Sequence, residues 1–196
     1  TDVPIEVLKS FYLLPSLMQR LESLMLASQI RKQINFNSGG FQIPSSLILE
    51  ALTTLKCCES FSMERLELLG DSVLKYAVSC HLYLRYPEKH EGQLTDWSSS
   101  LISNSALHRL GTNCKLQGYI RDSAFEPRRW VAPGQLCIHA VPCRCGVDTL
   151  EVPLDERFQT KNPTCKVGKF CDRGHRWMCS KTISDCVEAL IGAYYV

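Results

Sequence analysis

The sequence predicts a mainly all-α fold with one irregular, cysteine-rich insert and a preceding connector helix. Apolar residues recur at three- and four-residue spacing over the first 120 residues, and this periodicity returns from Ser180 to the end. Between about residues 121 and 178 the pattern is lost, because five prolines interrupt helices there and short apolar runs such as residues 136–141 favour strands. We therefore expect one helical domain with an insert.

Composition and charge exclude several classes of protein. Of the 196 residues, 45% are hydrophobic and 21% are charged, which is typical of a globular chain and excludes wholesale disorder. The formal net charge of +2 excludes a strongly basic domain, so any nucleic-acid binding must come from local chemistry. No stretch approaches the roughly 20 apolar residues that cross a bilayer. The eleven cysteines cannot all pair within one chain, and the opening Thr1-Asp2-Val3, without a leader pattern, leads us to expect a piece of a longer protein.

The first predicted helix covers residues 13 to about 34. Its amphipathic pattern comes from the spacing of Leu14, Leu17, Leu21, Leu24 and Ser28. A cluster of helix-breaking residues follows at 35–40. We expect residues 1–40 to be a connector region that packs against a domain spanning residues 41–196.

Four further helical segments are predicted. One begins at Pro44 and runs through Leu47, Leu52 and Leu55, and a longer one covers residues 63 to about 84. Residues 92–114 contain one or two helices, divided near Ser103-Asn104, and the last helix begins at Ser180.

Acidic residues on two otherwise apolar helices are the main chemical signal. Glu67 and Asp71 are four residues apart on one predicted helix, and Asp185 and Glu188 are three apart on the last. Such like-charge pairs cost a helix about 0.2–0.5 kcal/mol each when uncompensated, so a shared cation is one explanation. Carboxylate oxygens suit Mg²⁺, which in such a site can assist phosphodiester hydrolysis. Solvated helix faces or salt bridges are the other explanation, and spacing alone does not decide.

Two motifs carry a resemblance to a known family. Residues 64–74, Glu-Arg-Leu-Glu-Leu-Leu-Gly-Asp-Ser-Val-Leu, resemble the signature of the ribonuclease III family, and residues 185–193 resemble its second acidic motif. The resemblance implies the all-helical ribonuclease III endonuclease fold. It also implies that Mg²⁺, for which Mn²⁺ can substitute, is bound by four catalytic acids: Glu67, Asp71, Asp185 and Glu188.

The resemblance also implies roles for residues other than the four acids. Glu64 and Arg65 would belong to the dimer face, and Glu91 would match a further acid of the family. Met63 stands where Asn is usual and Leu68 where Phe is usual. Neither change affects an implied metal ligand.

The flanking residues resemble one branch of the family. Residues 14–25 look like the connector that leads into the first of the two ribonuclease III domains of Dicer, and Lys181 matches a lysine typical of Dicers. Residues 128–134 and 192–196 look like plant Dicer-like enzymes, and the insert is most similar to the branch that makes the longer small interfering RNAs.

This resemblance implies an endoribonuclease that cuts one strand of double-stranded RNA and leaves a 5′ phosphate and a 3′ overhang, for RNA silencing in the nucleus. The implied partners are double-stranded RNA, the second ribonuclease III domain of the same chain, and a double-stranded-RNA-binding protein. Lys181 would offer its charge to the scissile phosphate. Arg128 and Arg129 would contact RNA, with Trp130 either beside them or in the core. Lys75, one turn after Asp71, would either neutralise part of the site's charge or face solvent, and the second is favoured.

The insert contains candidate zinc ligands. Tetrahedral Zn²⁺ takes four Cys or His side chains, and a proline-rich segment without its own core is where such a site stabilises structure. The preferred set is Cys143, Cys145, Cys171 and His175. The Cys-x-Cys spacing is tighter than usual in zinc sites, so free thiols packed in the core are the alternative.

Two functional interpretations stay open beside the enzyme. One is a catalytically silent ribonuclease III fold that pairs with an active partner and positions RNA; loss of an acid would mark it, and all four acids are present. The other is a zinc-stabilised interaction module within the insert.

Overall fold

The computed structural model describes residues 4–35, 43–127 and 178–196. These residues form seven α-helices, and no described helix is long and apolar enough to cross a membrane. In chain order the helices are α1 (Ile5–Phe11), α2 (Leu14–Asn35), α3 (Ser45–Ala51), α4 (Glu64–Arg85), α5 (Glu91–Leu101), α6 (Asn104–Asn113) and α7 (Ser180–Tyr195).

The predicted all-α architecture is confirmed for the described residues. The break between α5 and α6 lies at Ile102 and Ser103, as the sequence indicated, and the Ser103 hydroxyl accepts a hydrogen bond from the Ala106 backbone N–H. Helix α1 was not predicted. The single isolated β-bridge among the described residues joins Thr53 to Arg121. The predicted strand at 136–141 lies outside the described residues.

Helix α7 is the centre of the core. It packs against α4, α6 and α3, so its residues are buried on most sides. A helix enclosed by neighbours is expected to be apolar around most of its circumference, and α7 buries Ile183 and Val187 on one face and Ala189 on another. The two acids of α7 therefore sit in the most enclosed helix of the described fold.

Glycines allow α4 and α7 to cross at short distance. A β-carbon at Gly70 would overlap the backbone carbonyl of Glu188, and one at Gly192 would overlap the carbonyl of Leu66. Both glycines are needed for close backbone approach rather than for an unusual backbone angle. The crossing brings the beginning of α4 against the middle of α7.

Helix α2 packs through a different face from the one its leucines indicated. Leu14, Leu17, Leu21 and Leu24 are all exposed, and Ser28 is only half-buried. The buried residues of α2 are Ser23, Ala27 and Ile30, and α3 is its main neighbour. Helix α2 therefore packs against α3 with the small residues Ser23 and Ala27 buried, and its apolar stripe is not the contact face.

Candidate metal and active site

Acids from α4 and α7 converge where the two helices cross. One carboxylate oxygen from each of Glu67, Asp185 and Glu188 lies within 4.8 Å of the other two. Glu67 is in the first turn of α4, while Asp185 and Glu188 are one turn apart on α7. The fold thus joins two acidic motifs that are more than 110 residues apart in the chain.

Burial and repulsion between neighbouring acids raise the pKa of Glu67 and of Glu188. Asp185 and Glu188 are each only 9% exposed. Burial first, and then the charges of Asp71, Asp185 and Glu67, together raise the pKa of Glu188 to about 7. The pKa of Glu67 is also raised, first by burial and then by Asp185. When all are ionised, the acids repel one another and a cation between them would be stabilising.

Asp71 borders the same groove but is engaged with a lysine. Lys75 Nζ donates a hydrogen bond to Asp71 Oδ2 at 2.7 Å, one turn further along α4. Lys75 faces solvent as expected, since its side chain is 56% exposed, and the four-residue spacing also places its ammonium beside the carboxylate, where it neutralises part of the site's charge. Asp71 still acts on the cluster, since its charge raises the pKa of Glu188.

Lys181 lies at the mouth of the acidic cluster. Its Nζ donates to Asp185 Oδ2 at 2.8 Å, and the side chain is 65% exposed. The hydrogen bond to Asp185 raises the pKa of Lys181, so the lysine is charged at neutral pH. Because the Lys181 ammonium contacts the buried Asp185 and is also open to solvent, it is placed to bind an incoming anion.

The acids line an open groove of about 700 Å³. Its rim includes residues that sequence reasoning missed: Thr54, Leu55, Lys56 and Asn104. Lys56 is exposed and belongs to a short 3₁₀ turn, Leu55–Cys57. The sequence predicted the helix that begins at Pro44 to run through Leu55, but α3 ends at Ala51, so Thr54, Leu55 and Lys56 lie between helices. Asn104 begins α6, and all four residues reach the groove through tertiary packing.

Buried polar and sulfur contacts hold the acidic helix in place. The fully buried Ser184 hydroxyl donates to the Asn104 backbone oxygen at 2.8 Å, which ties α7 to the start of α6. Two residues later, the Cys186 Sγ lies 3.3 Å from the Sδ of Met63, just before α4. A serine next to Asp185 in an apolar helix was the sequence signal for the first of these contacts.

The donor set fits a hard divalent cation. Three carboxylates offer oxygen atoms that lie within 4.8 Å of one another, and Asp71 adds a fourth acid in the same groove. Oxygen-only ligands favour Mg²⁺, Mn²⁺ or Ca²⁺ over Zn²⁺, which prefers Cys and His. The described residues therefore contain a site suited to divalent metal ions.

The other predicted residues do not join the three-carboxylate cluster, although Glu64 lines the same groove and its charge helps to raise the pKa of Glu67. Glu64 and Arg65 are exposed on the first turn of α4. Glu91 begins α5, where the Thr95 hydroxyl donates to its carboxylate at 3.3 Å, and it lines a second cavity of about 740 Å³ toward the far end of α4. The predicted RNA contacts and zinc ligands lie outside the described residues: Arg128, Arg129, Cys143, Cys145, Cys171 and His175.

Large apolar side chains are exposed on α4 and at the end of α7. Leu68 is 72% exposed, and four tyrosines are exposed with it: Tyr76, Tyr83, Tyr194 and Tyr195. Tyr195 lies close enough to Tyr76 to influence its ionisation. Clustered exposed apolar groups of this kind mark protein–protein contact surfaces.

Comparison with known proteins gives consistent results. Residues 64–196 match the model of the Ribonuclease III domain. The whole chain is 68% identical to Endoribonuclease Dicer homolog 3 of Arabidopsis thaliana and 64% identical to Endoribonuclease Dicer homolog 3b of Oryza sativa subsp. japonica. Over 95% of the chain it is 44% identical to Endoribonuclease Dicer homolog 4 of Oryza sativa subsp. japonica. The chain spans about 12% of the length of the first two relatives and 11% of the third.

Proposed function

The chain belongs to the ribonuclease III domain family, and from this we propose that it is the first endonuclease domain of a plant Dicer-like protein, hydrolysing one strand of double-stranded RNA. Its products would be small interfering RNAs of the longer, 24-nucleotide class. The observation that carries the proposal is the convergence of Glu67, Asp185 and Glu188 beside Lys181 in an open groove. A catalytically silent member would be expected to have lost one of these acids.

The acids are suited to hold magnesium. Glu67, Asp185 and Glu188 would bind the ion directly, with Asp71 as a further ligand once it parts from Lys75. When bound, divalent cations supply positive charge that offsets the charge developing on the attacking and leaving oxygens of a phosphodiester. A raised pKa at Glu188 means that protonation competes with the metal at neutral and lower pH.

Lys181 would contribute to the chemistry from the groove mouth. It can donate one ammonium hydrogen to Asp185 and present the others to a phosphate oxygen. This preorganised charge stabilises negative charge in the transition state more than in the ground state. The hydrogen bond to the buried Asp185 would hold the ammonium in one position at the groove mouth.

The exposed apolar surface supports pairing with a second ribonuclease III domain of the same parent chain. Leu68 and the tyrosines of α4 and α7 would be covered in such a pair, with Glu64 and Arg65 nearby on the first turn of α4. An A-form duplex is read by shape and backbone, which an open groove lined by acids, metal ions and Lys181 can accommodate. A double-stranded-RNA-binding protein partner, RNA contacts at Arg128 and Arg129, and nuclear residence stay predictions.

Cleavage of end-labelled double-stranded RNA by the full-length parent tests the proposal. Each strand would be read separately in Mg²⁺ for the wild type and for the double variant Asp71→Ala/Asp185→Ala. We expect selective loss of one strand's cut, because the second domain would keep its own acids. Unchanged cutting of both strands would favour the silent, RNA-positioning alternative.

A further inference from the structure

The carboxylate of Glu59 joins two arginines from distant parts of the chain. Arg121 Nη2 donates to Glu59 Oε1 at 2.6 Å, and Arg20 Nη2 donates to Glu59 Oε2 at 2.9 Å. Arg20 is on connector helix α2, whereas Arg121 follows the short turn after α6. One side chain from the segment that precedes α4 therefore links the connector helix to the segment that follows α6.

The cluster is partly withdrawn from solvent. The side chains of Glu59 and Arg121 are 15% and 11% exposed. Burial by itself would raise the pKa of Glu59, but hydrogen bonds and charge from Arg121 and then Arg20 lower it below its ordinary value. Within the described part of the chain, Arg121 Nη1 is buried without a hydrogen-bond partner, so Arg121 depends on Glu59 for its charge pairing.

Arg20 makes a second contact with the same segment. Its guanidinium carbon lies 5.9 Å from the centroid of the Phe61 ring. Two residues later, the Met63 backbone N–H donates to the Thr53 carbonyl at 2.8 Å, immediately before α4 begins. The connector is thus fixed to the residues that lead into the helix carrying Glu67.

Arg121 is fixed in turn to the rim of the acidic groove. Its backbone N–H donates to the Leu52 carbonyl at 2.8 Å, and the Thr54 N–H donates back to the Arg121 carbonyl at 2.9 Å. Thr54 and the following Leu55 and Lys56 line the groove. The contacts run without interruption from Arg20 on α2, through Glu59 and Arg121, to the groove rim.

We propose that Glu59 is a positioning residue that fixes the direction of connector helix α2 relative to the acidic groove and so determines which phosphate of a bound RNA strand meets the acids. The inference rests on the proposed function. Among the described residues, α1 joins the rest of the fold through α2, so an RNA contact made on either helix would shift relative to Glu67, Asp185 and Glu188 when the direction of α2 changes. A misplacement of about 1 Å is enough to alter which bond reacts and how fast.

The test maps cut positions at single-nucleotide resolution in the full-length parent, using one end-labelled duplex in Mg²⁺. Two variants are compared with the wild type: Glu59→Gln, which keeps size but removes the charge, and Arg20→Ala, which frees α2 but leaves the Glu59–Arg121 pair intact. We expect cuts of the strand assigned to this domain to spread to neighbouring phosphates at least about threefold more often in both variants. Arg20 is about half exposed, so its loss is compatible with folding.

Matched controls are Glu22→Gln and Lys32→Ala, which remove one exposed charge of each sign from the same helix. Both should keep the wild-type cut position. Lower melting temperature or turnover with an unchanged cut position in Glu59→Gln and Arg20→Ala would overturn the inference, because a merely stabilising ion pair would behave that way. Failure of the wild type to cut either strand would instead overturn the proposed function.

Discussion

Gly70 of α4 lies against the backbone carbonyl of Glu188 on α7. A β-carbon at Gly70 would overlap that oxygen and would also lie 2.8 Å from the backbone nitrogen of Gly192. Gly70 is three residues after Glu67, so the same crossing that excludes a side chain at Gly70 also sets the separation of the Glu67 and Glu188 carboxylates. Helix packing and the acidic cluster therefore depend on one glycine.

Replacing Gly70 with alanine should destabilise the chain. The added methyl group meets backbone atoms that cannot rotate away, and overpacking of this kind costs about 1–3 kcal/mol or more. The free energy of unfolding from urea denaturation of the 196-residue chain measures the effect. Gly118→Ala is the control, because nothing lies within 4 Å of a β-carbon there. Equal stability of the two variants would contradict the described helix crossing.

Magnesium should stabilise the folded chain through the acidic cluster. Binding to the folded state alone at about 100 times the dissociation constant contributes about 2.7 kcal/mol. Glu188→Gln should abolish this gain, whereas Glu91→Gln should keep it, because Glu91 lies apart from the cluster. Thermal unfolding in Mg²⁺ and in chelator measures the difference. Loss of the gain in both variants would place Glu91 in the metal site.

Without metal, stability should fall as pH rises from about 4.5 to 7. The pKa of Glu188 is about 7 in the folded chain, above its ordinary value of 4.5, so in this window the folded state holds a proton that the unfolded state has released. The raised pKa of Glu67 acts in the same direction, while the lowered pKa of Glu59 acts below this window.

In chelator, we therefore expect a melting temperature at least about 3 °C lower at pH 8 than at pH 5.5. Glu188→Gln, which cannot ionise at this position, should reduce that difference. A melting temperature that rises between pH 5.5 and pH 8 in the wild type would contradict the repulsion among the acids.

Removing the Lys181 ammonium should slow cleavage more than it weakens RNA binding. Loss of one preorganised donor to developing charge typically lowers kcat by about 100-fold. Single-turnover cleavage by the full-length parent carrying Lys181→Ala, read on the strand cut by this domain, gives the rate, and filter binding gives the affinity. Lys32→Ala, an exposed lysine on α2, is the control. An unchanged rate with weaker binding would make Lys181 a binding residue only.

The cysteine-rich insert should contain zinc. If Cys143, Cys145, Cys171 and His175 form a tetrahedral site, the purified protein should hold about one Zn²⁺ per chain by elemental analysis. Cys171→Ser should release the metal, and Cys58→Ser, an exposed thiol outside the insert, should not. A folded but zinc-free insert would favour packed free thiols.

The sequence alone determined the helices that are marked by a periodic pattern of apolar residues. Periodicity predicted α2, α4 and α7 to within about two residues of their observed ends, and breaker residues predicted the division between α5 and α6. The family motifs predicted the acids that meet in the groove. These features depend on residues that are only a few positions apart in the chain, so they can be predicted from the sequence.

Only the tertiary structure decided which surfaces meet. The leucine stripe of α2 is exposed while Ser23 and Ala27 pack, because close helix approach favours small side chains at that contact. Glu59 pairs with residues 39 and 62 positions away, and the Ser184 hydroxyl reaches a carbonyl 80 positions away. Such contacts depend on how the helices cross in space. A local periodic pattern cannot indicate a partner that lies so far away in the chain.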